Sequence, residues 1–451
     1  MSAIIEDPRP LQRSALVPLF VDPNLDRAFA IRAGRRISAR EFLADVRDVV
    51  AQLPNAQYAV NLCEDRYDFL VSFCAVIIAG QTNLLPSSRV PQAIGDVMHA
   101  YPSSYSLADS VRGEEPPRLF KMPALTSRAR GDESVPSIDA DHLIAIGFTS
   151  GSTGQPKPNP KRWGSVCASS ASNAALIGAL DSAVNIIATV PPQHMYGLEM
   201  SVLLPLRSRA TIAVPQPFFP ADIAHALDHV SAPRVLVTTP FHLRALLQSS
   251  ITLPDLDAIV SATAPLDAEL AREAETFYGT RVIEVFGSTE TCVIAHRRTA
   301  LDAAWKLYGG VSLRPQPDGT LVEAAYFSAP TLLQDIVELF PDGRFALRGR
   351  NGDLLDIAGK RASLGDLNHR LLAIDGVRDG AMFVLDADAK GVQRLAALVV
   401  ANGMTENDIV DRLRCAIDPV FLPRTVRIVD ALPRNATGKL PREALLAALR
   451  G

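Results

Sequence analysis

Nine consecutive residues, Thr149-Ser150-Gly151-Ser152-Thr153-Gly154-Gln155-Pro156-Lys157, gather hydroxyls and glycines around one lysine. Glycine lets the backbone turn with positive φ and approach a ligand closely. Consecutive amide N–H groups in such a turn form a nest for an anion. The hydroxyls add donors and Lys157 adds a mobile positive charge, so the combined preference is for a polyphosphate. An ordinary Gly/Ser-rich surface loop is the alternative for these residues alone. The P-loop of nucleoside triphosphatases needs Gly directly before its lysine and Ser or Thr directly after. Here Pro156 and Pro158 flank Lys157 instead.

Three further stretches carry reactive groups. Phe286-Gly287-Ser288-Thr289-Glu290 follows the apolar run Val282-Ile283-Glu284-Val285, and the carboxyl ends of parallel strands are where α/β proteins bind ligands. Glu290 can hold Mg²⁺, which takes one or two carboxylates and completes its shell with phosphate oxygens and water; a plain strand-end turn is an equal reading. His194, in Pro191-Pro192-Gln193-His194-Met195-Tyr196-Gly197, reads by itself as a core histidine. Lys439, in Asn435-Ala436-Thr437-Gly438-Lys439-Leu440, reads by itself as a solvated lysine near a C-terminus.

The elements that must position these residues are legible in outline. A buried-strand pattern over 143–148 leads into the glycine-rich stretch. Ser38 with Glu41 three residues on is a capping box opening a helix to residue 53. A strand at 59–62, an apolar helix at 67–79 and a strand at 82–86 suggest a parallel sheet with helices on its faces. A helix over 168–179 and strands over 186–190, 211–214, 235–238, 258–261 and 282–285 continue the pattern. Asp318-Gly319-Thr320 and Asp342-Gly343-Arg344 are hairpin turns, and Asn351-Gly352-Asp353 is a polar break suited to a hinge. Beyond it, helices at 364–372 and 406–415 and strands at 380–386, 394–400 and 425–429 make a small α+β domain.

A chain of 451 residues exceeds one typical core. Hydrophobic content of 48% with 21% charged residues reads as a soluble globular protein, and a net charge of −4 gives no footprint for nucleic acid or an anionic membrane. The five cysteines (Cys63, Cys74, Cys167, Cys292 and Cys415) include no CxxC pair, which fits a reducing cytoplasm better than a zinc or disulfide framework. The first ten residues lack the apolar core of a signal peptide, and the most apolar run, 69–80, is too short to span a bilayer; membrane insertion is not expected.

Taken together, the motifs resemble those of the AMP-forming adenylating enzymes: acyl- and aryl-CoA synthetases, peptide-synthetase adenylation domains and luciferases. The family's Thr-Ser-Gly-Ser/Thr-Thr-Gly-x-Pro-Lys-Gly matches as far as Lys157 and departs at Pro158; its Tyr-Gly-x-Thr-Glu matches with Phe286 for Tyr. The resemblance implies that Thr149, Ser150, Gly151, Ser152, Thr153, Gly154 and Lys157 bind the ATP phosphates. It places adenine between Phe286-Gly287 and Thr263-Ala264-Pro265, Thr289 on the α-phosphate and Glu290 on Mg²⁺. Asp335, in Gln334-Asp335 where the family has Gly-Asp, and Arg350 would hold the ribose. His194 would lie by the acyl pocket, Gly352 at the hinge, and Lys439 would bridge carboxylate and α-phosphate. Gly359-Lys360-Arg361 resembles a loop that enters the site for the second half-reaction.

The fold the resemblance implies is α/β. Residues 1–349 would form a large adenylation domain of mixed, mostly parallel sheets with flanking helices, and residues 350–451 a small mobile α+β domain. The expected activity is ATP-dependent activation of a small-molecule carboxylic acid, aromatic or short-to-medium in chain length, with transfer to coenzyme A. An enzyme loading the phosphopantetheine of an acyl carrier protein is one alternative, and a non-catalytic nucleotide- or acyl-binding homologue is another.

Overall fold

The protein, represented by a computed structural model, is described at residues 15–86, 88–111, 113–126, 134–150, 156–317, 319–350, 354–357, 360–385, 394–435 and 438–450. Two compact units emerge: Met1–Ala303 with Ala325–Ser328, and Ala304–Ala324 with Ala329–Gly451.

The first unit runs β1 (Ala28–Arg32), β2 (Arg35–Ser38), α1 (Ala39–Val50), β3 (Tyr58–Asn61), α2 (Arg66–Ile78), β4 (Thr82–Leu85), β5 (Ser104–Ala108), β6 (Leu119–Lys121), β7 (Leu143–Ser150), β8 (Pro156–Arg162), α3 (Trp163–Leu176) and β9 (Val184–Ala188). It continues with β10 (Ala210–Ala213), α4 (Pro220–Asp228), β11 (Arg234–Thr238), α5 (Pro240–Ser249), β12 (Ala258–Ser261), α6 (Ala268–Tyr278), β13 (Val282–Ser288) and β14 (Cys292–Arg297). One sheet has the order β8-β7-β4-β3-β5-β6, and a larger one the order β14-β13-β12-β11-β9-β10-β1-β2. Both are parallel except at hairpin margins: β7 with β8, β13 with β14, and β1 with β2.

Local signals explain several elements. The Ser38 hydroxyl accepts from Glu41 N–H at 3.2 Å while the Glu41 carboxylate accepts from Ser38 N–H at 2.7 Å, the expected capping box of α1. Helix α2 is apolar almost all round, and Tyr67, Phe69, Leu70, Phe73 and Val76 are inaccessible to solvent, as a helix buried between layers must be.

The larger sheet places a polar row where its parallel strands end. Ile187, Leu236, Ile259 and Val282 pack into an apolar core with Leu243, Leu246 and Leu270. Side chains recur on one face with period two, so Thr189, Thr238, Ser261 and Glu284 follow on that same face. The Thr189 and Thr238 hydroxyls lie 3.1 Å apart. His242, in the first turn of α5, places Nδ1 at 2.9 Å from the hydroxyl of the N-cap Thr239.

The second unit contains the antiparallel β15 (Val311–Gln316), β16 (Gly319–Ala324) and β17 (Thr331–Leu333), the hairpin β18 (Asp335–Leu339) with β19 (Phe345–Arg350), and the hairpin β20 (Leu354–Ile357) with β21 (Lys360–Ser363). Then follow α7 (Leu364–Leu372), β22 (Val377–Val384), β23 (Leu395–Ala401), α8 (Glu406–Ala416), β24 (Thr425–Ile428) and α9 (Arg442–Arg450). The sheet β22-β23-β24 is buried on both faces. Met382, Ala397 and Val399 join Leu367, Leu371, Ile409 and Leu413 in one core, while Ala381, Phe383, Leu398 and Val400 join Leu445 in the other. Helix α9 has no counterpart in the sequence reading, which stopped at the segment around Lys439.

Burial lowers the pKa of His242 from 6.5 to about 4. A depressed histidine pKa means the unfolded chain takes up the proton first, so stability is full above pH 6.5 and is lost as pH falls toward 4. This group contributes on the order of 2–3 kcal/mol to that acid-side loss. Urea titrations at pH 7 and pH 5 should show a smaller difference for His242→Asn than for wild type; an equal difference would assign the loss to other groups.

Candidate active site

The two ends of the glycine-rich stretch lie on paired antiparallel strands. Thr149 and Ser150 end β7, Pro156 and Lys157 begin β8, and Lys157 lies opposite Thr149. Gly151, Ser152, Thr153 and Gly154 lie outside the described residues. Strand β8 is the edge of its sheet, and its prolines at 156, 158 and 160 alternate with Lys157, Asn159 and Lys161. Ladder bonds in an antiparallel pair also alternate, and proline is tolerated only where its missing N–H faces away from the partner. The prolines therefore occupy the outward positions, and this edge cannot accept another strand. Pro158, which stood out as a departure from the family loop, is a strand residue opposite Phe148.

Lys157, Asn159 and Lys161 share the other face of β8. Lys157 is exposed, whereas Asn159 and Lys161 are buried. The Asn159 amide donates to the Lys157 carbonyl at 3.0 Å and to the Thr149 hydroxyl at 3.4 Å. Lys161 Nζ donates to the Glu290 carbonyl at 2.9 Å.

That bond brings the second motif to the hairpin. A second contact lies alongside it: a Cβ on Gly147 of β7 would meet the Thr289 methyl at 3.3 Å. Phe286 and Gly287 end β13 at a register shift before the turn into β14. A Cβ on Gly287 would lie 2.1 Å from the Cys292 carbonyl oxygen, so only glycine closes this hairpin. The Ser288 hydroxyl accepts from Glu290 N–H at 3.1 Å and from Thr291 N–H at 3.2 Å. The turn thus presents Thr289 and a half-buried Glu290. Among the described residues no group of three or more His, Cys, Asp or Glu could hold a metal ion. Glu290 alone fits an ion such as Mg²⁺ that takes most of its ligands from phosphate oxygens and water.

Two buried carboxylates hold this region, and neither stood out in the sequence. Glu199 opens a π-helical turn, Glu199–Leu203, a form frequent at functional sites. Its carboxylate accepts from Ser169 at 2.7 Å and, through both oxygens, from Val293 N–H at 3.1 Å. Burial pushes its pKa up, while these bonds and the charge of Lys161 pull it down. Glu284 accepts from Arg297 at 2.7 Å, from Thr299 at 2.6 Å and from Leu266 N–H at 2.9 Å. The last of these fastens the residue after Thr263-Ala264-Pro265. Within that segment Thr263 has φ +79°, a left-handed conformation strained for a β-branched residue. A lone Glu in the apolar run 198–204 was the available signal for Glu199.

His194 is the N-cap of the short helix Met195–Leu198. Its segment is bound tightly: the Tyr196 hydroxyl donates to the Val260 carbonyl at 2.9 Å, and a Cβ on Gly197 would lie 1.9 Å from the Pro191 carbonyl oxygen. The buried Arg66 donates to the carbonyls of Ala188 and Val190 at 2.9 and 3.0 Å and bonds Ser201. Burial lowers its pKa to about 10.

In the second unit, Asp335 and Arg350 are cross-strand partners on β18 and β19. Asp335 is buried, and its carbonyl accepts from the Thr320 hydroxyl at 2.6 Å. Lys439 stands exposed on a turn closed by Asn435, whose N–H donates to the Lys439 carbonyl at 2.8 Å and whose side chain accepts from Lys439 N–H at 2.9 Å. Gly438 supplies φ +76°. Arg434 ties this turn to β22 by donating to the Gly438 carbonyl at 2.9 Å and to both Asp379 oxygens at 2.7 and 3.1 Å. Gly352 and Gly359 lie outside the described residues.

A parallel-sheet α/β unit thus sets the β7–β8 hairpin strands against a carboxylate-bearing turn. The AMP-binding enzyme family matches residues 26–317, and the AMP-binding enzyme C-terminal domain matches residues 369–439. Among relatives, a 4-coumarate–CoA ligase of Rhodobacter capsulatus is 32% identical over 302 residues, covering 65% of this chain and 74% of that protein. An L-proline–[L-prolyl-carrier protein] ligase of Pseudomonas fluorescens is 26% identical over 374 residues, covering 71% and 72%. The solved structure of o-succinylbenzoate CoA synthetase from Bacillus subtilis with its acyl-adenylate superposes with a TM-score of 0.80 at 19% identity, over 94% of this chain and 96% of that one. The chain belongs to the AMP-binding enzyme family.

The strained Thr263 yields a stability test. Thr263→Gly relieves ~1–3 kcal/mol of backbone strain against ~0.5–1 kcal/mol of glycine entropy. Denaturant unfolding should therefore show a net gain of about 1 kcal/mol; a net loss would mean the Thr263 side chain holds the segment.

Proposed function

We propose that this chain joins a carboxylic acid to a thiol through an acyl-adenylate, using ATP. The observation that carries this reading is the pair of contacts, Gly147 with Thr289 and Lys161 with Glu290, that sets the phosphate hairpin against the carboxylate turn. Lys157 and the loop before it bind the phosphates, Phe286 and Thr263–Pro265 bind adenine, and Asp335 with Arg350 binds ribose. Glu290 would hold Mg²⁺, which would supply charge neutralisation at the phosphates.

In the first step a carboxylate oxygen attacks the α-phosphorus and the bond to pyrophosphate breaks. The acid is ionised at neutral pH, so no general base is required and His194 serves to shape the acyl pocket. Thr289 and Lys439 donate to the α-phosphate as charge builds, and such preorganised donors are worth ~3–4 kcal/mol. In the second step a thiol sulfur attacks the acyl carbon, the bond to the phosphate oxygen breaks, AMP leaves and the thiol proton passes to solvent. Between the steps residues 350–451 rotate about Gly352, withdrawing Lys439.

The acid is aromatic or of short to medium length; the 4-coumarate–CoA ligases among the relatives support an aromatic one. Coenzyme A is the acceptor on the same grounds. The prolyl-carrier-protein ligase supports a second reading, transfer to a carrier's phosphopantetheine. No helix among the described residues is long and apolar enough to cross a membrane.

ATP–pyrophosphate exchange with benzoates, cinnamates and fatty acids tests the reaction. Exchange should appear with one class, and Lys439→Ala should lower it about a hundred- to a thousandfold. Silence with every class, with ATP still bound, would leave a binding protein. Arg434→Met, which removes two bonds to Asp379 and one to the Gly438 carbonyl, should lower the exchange rate at least about tenfold, the worth of one charge-assisted bond, with little change in the KM for ATP; a raised KM alone would place Lys439 in ATP binding.

A further inference from the structure

We propose that Lys161 and Glu199 are positioning residues that hold the Ser288–Cys292 turn at its middle and at its exit and tie it to the phosphate hairpin. The inference rests on the reading of Glu290 as the metal-holding carboxylate. Lys161 belongs to β8, four residues after Lys157 on the same strand face, and donates to the Glu290 carbonyl inside the turn at 2.9 Å. Glu199 belongs to a π-helical turn elsewhere in the chain and holds Val293 N–H at the turn's exit with both oxygens. Both side chains are buried: Lys161 is 5% and Glu199 2% exposed.

An unpaired buried charge costs several kcal/mol. Here each charge is placed where it satisfies a main-chain group of one short turn, and the two also act on each other through space. Ser169 and Asn173 complete the Glu199 shell at 2.7 and 3.4 Å. The result is one bonded path from the strand bearing Lys157 to the backbone of Glu290. Groups that must hold one ATP·Mg²⁺ from two motifs are thereby kept in register, and a carboxylate aimed by its own fixed backbone loses less rotamer freedom on binding. Neither residue need touch the nucleotide.

The test compares Lys161→Met, Lys161→Arg, Glu199→Gln and Glu290→Gln in the full chain. Isothermal titration with ATP and Mg²⁺, without acid, reads binding directly; exchange assays read KM for ATP and for the acid separately. Losing one charge-assisted bond should weaken ATP·Mg²⁺ binding about tenfold and raise the Mg²⁺ half-saturation with it. The acid KM should stay within about twofold, Lys161→Arg should recover most of the loss, and Lys161→Met with Glu290→Gln should be less than additive. Unchanged ATP·Mg²⁺ binding in Lys161→Met, or parallel rises in both KM values, would overturn the inference. If Lys161→Met does not fold, Glu199→Gln reads the clamp from its exit side, with about threefold weaker binding expected and unchanged binding overturning it. A normal Mg²⁺ half-saturation in Glu290→Gln would remove the metal-ligand reading and the inference with it. An altered Glu290→Gln beside an unaltered Lys161→Met overturns the inference alone.

Discussion

The bond from Lys161 to the Glu290 carbonyl is the interaction on which the arrangement of the site depends. Two motifs separated by more than a hundred residues meet through it, and the geometry leaves little slack. Lys161 reaches the turn from an edge strand whose prolines bar pairing on its outer side. Removing Lys161 would leave the Glu290 carbonyl, and removing Glu199 the Val293 N–H, without its buried partner, and such losses are costly. The clamp is therefore also a constraint on folding, since the larger sheet and the hairpin satisfy each other's buried polar groups.

Around that bond, the same design recurs with uncharged means. Gly287 lets β13 and β14 close, Gly197 lets its helix start against Pro191, and Gly147 leaves room for the Thr289 methyl. At each, a methyl group would collide or crowd. Arg66 and Glu284 do for the His194 and Thr263 segments what Lys161 and Glu199 do for the Glu290 turn: a buried charge binds backbone groups of a loop that has no regular ladder of its own. These four buried charges thus serve backbone groups beside strand ends, which otherwise lack partners.

What was legible in the sequence follows from the range of the interactions involved. The Ser38–Glu41 box, the all-apolar α2 and the alternating cores of the C-terminal strands are local patterns, and the corresponding elements formed nearly where the pattern placed them. The glycine-rich stretch was read as a loop through Lys157, whereas Pro156 and Lys157 already belong to β8; Pro156 and Pro158 look like loop residues until the edge position of β8 is known. Lys161, Glu199 and Glu284 were passed over because their partners, Glu290, Val293 and Leu266, are distant in sequence or are main-chain groups that carry no residue signature. Helix α9 was missed because its apolar face, centred on Leu445, follows a polar turn that dominates the composition. The cross-strand register of Asp335 with Arg350 on β18 and β19 was not legible in the sequence, because it depends on how the two strands pair.

The turn that carries Lys439 is fixed more firmly than an exposed lysine near a C-terminus needs to be. Its backbone closes on Asn435, and Arg434 fastens it to Asp379 with two bonds to a strand whose faces are buried in separate cores. A solvated lysine would gain nothing from this, since surface ion pairs contribute little. A lysine that must meet a developing negative charge gains directly, because a preset donor loses little entropy at the moment of reaction. Held this way, the Lys439 backbone keeps a fixed place on its own sheet.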